Sequence, residues 1–103
     1  MTVSELLDAA ADLIERTGWT QKTSARDADG TPCALNQGVA FCPIGAIDWA
    51  DWVADHDWSL AFDAFVALSD AIGGGQVATW NDAPDRTQDE VVAALRTAAK
   101  ATR

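Results

Sequence analysis

The sequence predicts a mainly α-helical protein: a four-helix bundle around a single core, with a short β-hairpin-like insert between helices 1 and 2. Four segments repeat apolar residues at intervals of three and four, the spacing that lines one side of an α-helix. Residues 19–41 lose this period and are rich in Gly, Pro, Asn and Asp. A chain of 103 residues can bury one core without disulfides or metals, so we expect a single globular domain over residues 1–103.

The first predicted helix begins after Thr2. Thr2 and Glu5 have the spacing of a capping box, and Gly18 suits the turn that ends a helix. The apolar positions that should face the core are Val3, Leu6, Leu7, Ala10, Leu13 and Ile14. This pattern is typical of an amphipathic helix on the surface of a core.

The insert is predicted from its turn residues. Asp29 and Gly30 form a pair that tight hairpin turns prefer, and short strands are expected near residues 23–28 and near residues 31–35 or 39–41. Asp27 and Asp29 also resemble the start of a calcium loop, but Gly38 stands at the twelfth position, where such a loop needs a bidentate Glu. We therefore favour a hairpin turn.

The second predicted helix begins at Cys42 and Pro43, because proline is favoured at the first helical position. Its aspartates form one narrow stripe, Asp48, Asp51 and Asp55, and apolar residues cover most of the remaining circumference. We expect this helix to be central, with the acidic stripe in water.

Asp57 is a candidate cap for the third helix. The side chains expected to face the core there are Trp58, Ala61, Phe62, Phe65, Val66, Leu68, Ser69 and Ile72. The glycines at 73–75 end this helix, and residues 76–86 are expected to form a loop. Thr87 and Glu90 have capping-box spacing at the start of the fourth helix.

Charge limits the classes of partner. Seven Lys and Arg against 16 Asp and Glu give a formal net charge of −9, which disfavours direct contact with nucleic acids and anionic membranes. No apolar run is long enough to span a membrane, and the first residues lack the layout of a secretory signal. These observations predict a cytoplasmic protein.

The sequence gives little support for catalysis. Cys42 at a helix N-terminus could be a nucleophile, but the single histidine, His56, is distant in sequence, and a packed thiol is the favoured interpretation. Two cysteines and one histidine fall short of a structural zinc site. We expect Cys33 and Cys42 to be reduced, and we predict no enzyme activity, no metal and no cofactor.

Five tryptophans in 103 residues are the least ordinary feature of the composition. Trp49 and Trp58 fit a buried face, whereas Trp52 lies between the apolar arc and the acidic stripe. The predicted partner-binding residues are Asp48, Asp51, Trp52 and Asp55, and they suit a protein with a basic or mixed basic and apolar surface. In the alternative interpretation, Trp52 covers the edge of the core and the aspartates only keep the helix soluble. Self-association into a homodimer is also open.

Three segments, ARDADG at 25–30, FCPIGAI at 41–47 and WNDAPDRT at 80–87, occur in this order after Trp19. Together they resemble an uncharacterised family, a domain of unknown function, of small actinobacterial and actinophage proteins. The resemblance implies no activity, cofactor or catalytic residue. It implies the cytoplasm of a bacterium, or of the host if the protein is phage-encoded.

The segments of this resemblance contain a second candidate site, formed by Arg26, Trp80, Asn81 and Arg86. We favour a structural role for these residues, and a small-ligand pocket that recognises a carboxylate or phosphate is the alternative. The favoured function is a regulatory protein-interaction module that binds a host protein. The alternatives are a small ligand-binding protein or enzyme that uses the loops of Arg26 and Arg86 or uses Cys42, and, with less support, a DNA-mimic inhibitor.

Overall fold

A computed structural model describes residues 1–54 and 56–103 of the chain. In this part of the chain there are five α-helices and one small antiparallel sheet, so the mainly helical prediction is confirmed. The elements are α1 (Val3–Thr17), β1 (Ala25–Arg26), a 3₁₀ turn (Leu35–Gln37), β2 (Ala40–Phe41), α2 (Pro43–Ala54), α3 (Trp58–Ala71), α4 (Val77–Asn81) and α5 (Gln88–Ala101). None of the described helices is long and apolar enough to cross a membrane.

The predicted starts of the first and last helices are confirmed. Both depend on hydrogen bonds between residues that are close together in the sequence. Glu5 N donates to Thr2 Oγ1 at 3.1 Å, and Thr2 N donates to the Glu5 carboxylate at 2.8 Å. The same reciprocal pair joins Thr87 and Glu90 at the start of α5. Each pair satisfies backbone N–H groups that the first turn of a helix leaves unpaired.

The core lies where α1 packs against α2, α3 and α5. The apolar faces of α1 and α5 supply most of its fully buried side chains, which include Leu6, Leu7, Ile14, Val91 and Leu95. Arg96 on α5 joins the polar edges of the same two helices, since its guanidinium donates to Asp8 at 3.0 Å and to Asp12 at 2.6 Å. The hydrogen bond from Arg96 lowers the pKa of Asp8.

The strand pairing differs from a simple hairpin. The turn at Asp27 forms as expected, because the Asp27 carboxylate accepts from Asp29 N at 2.9 Å and from Thr31 N at 3.1 Å. Beyond the turn, Arg26 makes a single bridge with Pro32, and β1 pairs with the more distant β2. Pro32 has no N–H to donate, which limits pairing on its side of the turn.

The prediction that residues 76–86 form only a loop is wrong, because Val77–Asn81 are a short helix, α4. Val77 is buried, and its packing against the core explains why the short apolar run forms a helix.

The predicted inward face of α3 is confirmed for Ala61 and Leu68 and is wrong for three larger side chains. Trp58 is 74% exposed, Phe62 is 64% exposed and Val66 is 45% exposed, although all three were expected to face the core. The core positions of α3 are Ala61, Ala64 and Leu68. Small alanine side chains allow the helix backbone to come close to its neighbours, so this face packs inward and the larger aromatic face points to solvent.

Candidate functional site

A cavity of about 570 Å³ opens between the second half of α2, the first turn of α3 and the 3₁₀ turn. We call it the aromatic cavity. The side chains that give it chemical character are Asp48, Trp49, Asp51, Trp52, His56 and Trp58. The cavity therefore brings together three of the five tryptophans and three of the four predicted partner-binding residues. The fourth, Asp55, lies outside the described residues.

The connection between α2 and α3 positions the cavity walls. The backbone oxygen of Asp51 accepts from His56 N at 2.6 Å, and its carboxylate accepts from Asp57 N at 3.0 Å. Asp57 in turn caps α3, since its carboxylate accepts from Ser59 N at 3.0 Å. These hydrogen bonds hold the start of α3 beside the end of α2, which places Trp58 at the same cavity as Trp52.

The prediction that the acidic stripe of α2 lies in water is wrong for Asp48 and Asp51. Asp51 is only 6% exposed and Asp48 is half-buried. Asp51 can be buried because Asp57 N supplies a hydrogen bond to its carboxylate. That donor lies beyond the end of the helix, so helical spacing within α2 gave no sign of it.

The Asp48 carboxylate carries an electrostatic penalty. Burial raises its pKa, and the neighbouring Asp51 carboxylate raises it further. Among residues 1–54 and 56–103, no Lys or Arg lines the aromatic cavity. The cavity thus holds acidic groups that its described walls do not neutralise.

This penalty predicts the effect of Asp48→Asn on stability. A carboxyl whose pKa is raised by folding destabilises the folded state when it is ionised, and the cost disappears as the pH falls through its folded-state pKa. The Asp48→Asn variant should therefore melt at a higher temperature than the wild type at pH 7. The difference should shrink as the pH falls through the raised pKa of Asp48, because the wild-type carboxyl then takes up a proton.

Thermal unfolding followed by circular dichroism at a series of pH values measures this difference. Asp89→Asn is a suitable control, because Asp89 is an exposed aspartate in the first turn of α5. A lower melting temperature for Asp48→Asn at pH 7 would contradict the stated electrostatic cost.

Large apolar side chains are exposed at the rim of the aromatic cavity. Trp52 is 59% exposed, and its ring meets the ring of His56 edge-on, with centroids 4.1 Å apart and an interplanar angle of 71°. Trp58 begins an exposed stripe that continues through Phe62 and Val66 at four-residue intervals along α3. The sequence of α3 contains two apolar stripes, one of which faces outward and one inward. The prediction assigned the apolar residues to a single inward face, so it missed this surface.

The second candidate site is held by structural contacts. The Arg26 guanidinium donates to Thr20 Oγ1 at 2.7 Å and to the backbone oxygens of Gly30 and Gln21. Arg86 lies over the Trp80 ring at 4.0 Å and donates to the Trp80 backbone oxygen at 3.0 Å. Each arginine thus ties down its own loop, as the favoured interpretation expects.

Asn81 has a similar structural role. It is 1% exposed, its side-chain oxygen accepts from Trp19 Nε1 at 2.7 Å, and its amide nitrogen donates to the Thr20 backbone oxygen at 3.1 Å. Asn81 therefore connects α4 to the segment that follows α1.

The cysteines show no sign of activation. The Cys42 sulfur accepts from Gly45 N at 3.3 Å at the start of α2, yet burial outweighs this contact and raises the pKa of the thiol. Cys33 is half-buried and is not in a disulfide. In the described part of the chain, no three His, Cys, Asp or Glu side chains are grouped in a way that could hold a metal ion.

Comparisons with known proteins identify the family and nothing more specific. Searches of the curated proteins and of the solved structures gave no significant match. Residues 1–101 match a family of unknown function (DUF6197), and since the match covers nearly the whole chain, the protein belongs to that family.

Proposed function

We propose that this protein is a small acidic interaction module that binds another protein through the aromatic cavity and the exposed stripe of α3. The observation that carries the proposal is the exposure of Trp52 and Trp58 at one acidic cavity, with the exposed Phe62 following Trp58 along α3. Tryptophan is enriched among the residues that dominate binding energy at protein interfaces. Large exposed apolar surfaces with a polar rim are typical of interaction sites.

Charge complementarity indicates the kind of partner. The net charge of −9 and the two carboxylates of the aromatic cavity favour a partner surface that is basic around an apolar centre. High salt screens electrostatic steering, so association should be slower at high salt, whereas the apolar contacts should remain. A DNA mimic would instead present exposed carboxylates over an extended face to a nucleic-acid-binding cleft. The aromatic character of this surface favours a partner surface with an apolar centre.

The sequence resemblance suggests the setting for this proposal. The partner would be a protein of the bacterial cytoplasm, and a host protein if the gene is of phage origin. Regulation of that partner by binding is the proposed role.

A second candidate function, a small hydrolytic or ligand-binding protein, is favoured by one observation. Asp48, Asp51 and His56 line the same cavity, and carboxylates beside a histidine can perform acid–base chemistry. However, the Asp51 carboxylate already accepts from Asp57 N, and His56 is exposed beside Trp52. A thermal-shift screen against small metabolites tests this candidate, because a ligand of the folded state raises the melting temperature.

Trp58→Ala should weaken binding of the partner about tenfold or more, since a large exposed ring at the interface is removed. The partner is first captured from a bacterial lysate by cross-linking, identified by mass spectrometry and purified. Isothermal titration calorimetry then compares the wild type with Trp58→Ala and Trp52→Ala.

Val39→Ala is the matched control for these variants. Val39 is 45% exposed and does not line the aromatic cavity. The melting temperatures of the tryptophan variants should stay close to that of the wild type, because both rings are mostly in solvent. A purified partner that binds wild type, Trp52→Ala and Trp58→Ala equally would contradict the proposal.

A further inference from the structure

The aromatic cavity has the composition of a site for an organic cation. Asp48 and Asp51 bring negative charge to it, and no described Lys or Arg side chain lines it. No described residue forms a hydrogen bond or ion pair with the Asp48 carboxylate, whereas the Asp51 carboxylate accepts from Asp57 N. Asp48 is therefore the carboxylate that remains available to a ligand.

Besides negative charge, a site for an organic cation needs aromatic faces, and the tryptophans of the cavity supply them. Trp49, Trp52 and Trp58 line it, and an indole face attracts a cation more strongly than other aromatic faces do. A guanidinium group is planar and weakly hydrated, so it stacks on aromatic rings and pairs with a carboxylate at the same time. An ammonium group is more strongly hydrated, so it loses more hydration free energy when it leaves water.

The protein already contains this arrangement inside its own fold. The Arg86 guanidinium lies 4.0 Å from the centre of the Trp80 ring, and its Nη1 donates to the Glu90 carboxylate at 3.2 Å. Arg86, Trp80 and Glu90 show that an indole and a carboxylate can hold one guanidinium together. The aromatic cavity offers an indole and a carboxylate without the guanidinium.

We propose that the aromatic cavity receives an arginine side chain of the partner protein, with its guanidinium between the tryptophan rings and the Asp48 carboxylate. This inference rests on the proposed function and names the partner group that enters the cavity. It assigns to Asp48 the role of counter-ion and to Trp58 the role of an outer wall that covers the bound group.

A pair of near-isosteric ligands tests the charge requirement. N-acetyl-arginine amide and N-acetyl-citrulline amide differ in replacing the guanidinium with a neutral urea group. Tryptophan fluorescence of the full chain is followed while each compound is added. The arginine compound should bind at least about tenfold more tightly than the citrulline compound, and also more tightly than N-acetyl-lysine amide.

Variants assign the effect to the cavity. Asp48→Asn should reduce the preference for arginine over citrulline to less than about threefold, because the counter-ion charge is lost. Trp58→Ala should weaken arginine binding, and Asp89→Asn on α5 should leave it unchanged. Circular dichroism shows that each variant is folded before its affinity is compared.

Three results would overturn the inference: equal affinity for arginine and citrulline compounds, equal affinity for arginine and lysine compounds, or no saturable fluorescence change. If one of these occurs while a purified partner still loses affinity in Trp58→Ala, the cavity binds a protein through some group other than arginine. If the partner is indifferent to Trp58→Ala, the proposed function itself fails.

Discussion

Replacing Gly45 with alanine is expected to lower the free energy of unfolding by about 3 kcal/mol, at the upper end of the usual cost of overpacking a core. A Cβ atom at Gly45 would lie 2.2 Å from the backbone oxygen of Ser24 and 2.9 Å from its carbonyl carbon. Both are backbone atoms, so rotation of a side chain cannot relieve the clash. The Ser24 oxygen also accepts from Cys42 N at 3.1 Å, and any shift strains that hydrogen bond.

Urea denaturation followed by circular dichroism measures the loss. Gly74→Ala serves as the control, because a Cβ atom there meets nothing within 4 Å and only the positive φ of 91° is unfavourable. This control should lose about 1 kcal/mol from backbone strain alone. A Gly45→Ala variant no less stable than Gly74→Ala would show that α2 and the segment before β1 do not pack as closely as described.

Asn81→Ala is expected to cost about 3 kcal/mol, because it removes one buried and one part-buried hydrogen bond and leaves a polar group without its partner in each, at about 1–3 kcal/mol per group. The Trp19 Nε1–H loses its acceptor, and the Thr20 backbone oxygen loses a donor. The same denaturation experiment measures this cost.

A double-mutant cycle with Trp19→Phe tests the stated cause. Trp19→Phe removes the indole N–H, so Asn81→Ala should be less costly in that background than in the wild type. Additive costs would contradict the role of the hydrogen bond between Trp19 and Asn81.

The sign of these stability changes separates structural residues from binding residues. A residue kept for the fold destabilises the protein when it is replaced, whereas a binding residue often costs stability while it is present. Asn81 is expected to behave in the first way and Asp48 in the second. A stabilising Asn81 replacement would revive the ligand-pocket alternative at Arg26, Trp80, Asn81 and Arg86.

The predictable part of the fold is the part decided within a few residues of the chain. The starts of α1 and α5 follow from capping boxes, and Pro43 begins α2 as predicted. The pairing of β1 could not be chosen from the sequence, because residues 31–35 and 39–41 were both suitable partners. The inward face of α3 depends on how closely its alanines approach other helices, which its own apolar pattern does not reveal.

In the candidate site, too, only the residues that are close together in the sequence could be grouped by prediction. Asp48, Asp51 and Trp52 share one side of α2, and helical spacing was enough to group them. Trp58 and His56 join them through the turn that Asp51 stabilises, a contact between separate elements. The burial of Asp51 could not be predicted, because its donor is the backbone of Asp57.

If the aromatic cavity is the binding surface, the indole N–H groups of the five tryptophans should respond to the partner in two different ways. Trp49, Trp52 and Trp58 line the aromatic cavity. Trp19 is hydrogen-bonded to Asn81, and Trp80 lies under Arg86. An ¹H–¹⁵N spectrum recorded while the purified partner is added should show shifts for the indoles of Trp49, Trp52 and Trp58, with those of Trp19 and Trp80 unchanged. Shifts confined to Trp19 and Trp80 would place binding around Asn81 and show that the aromatic cavity is not the binding surface.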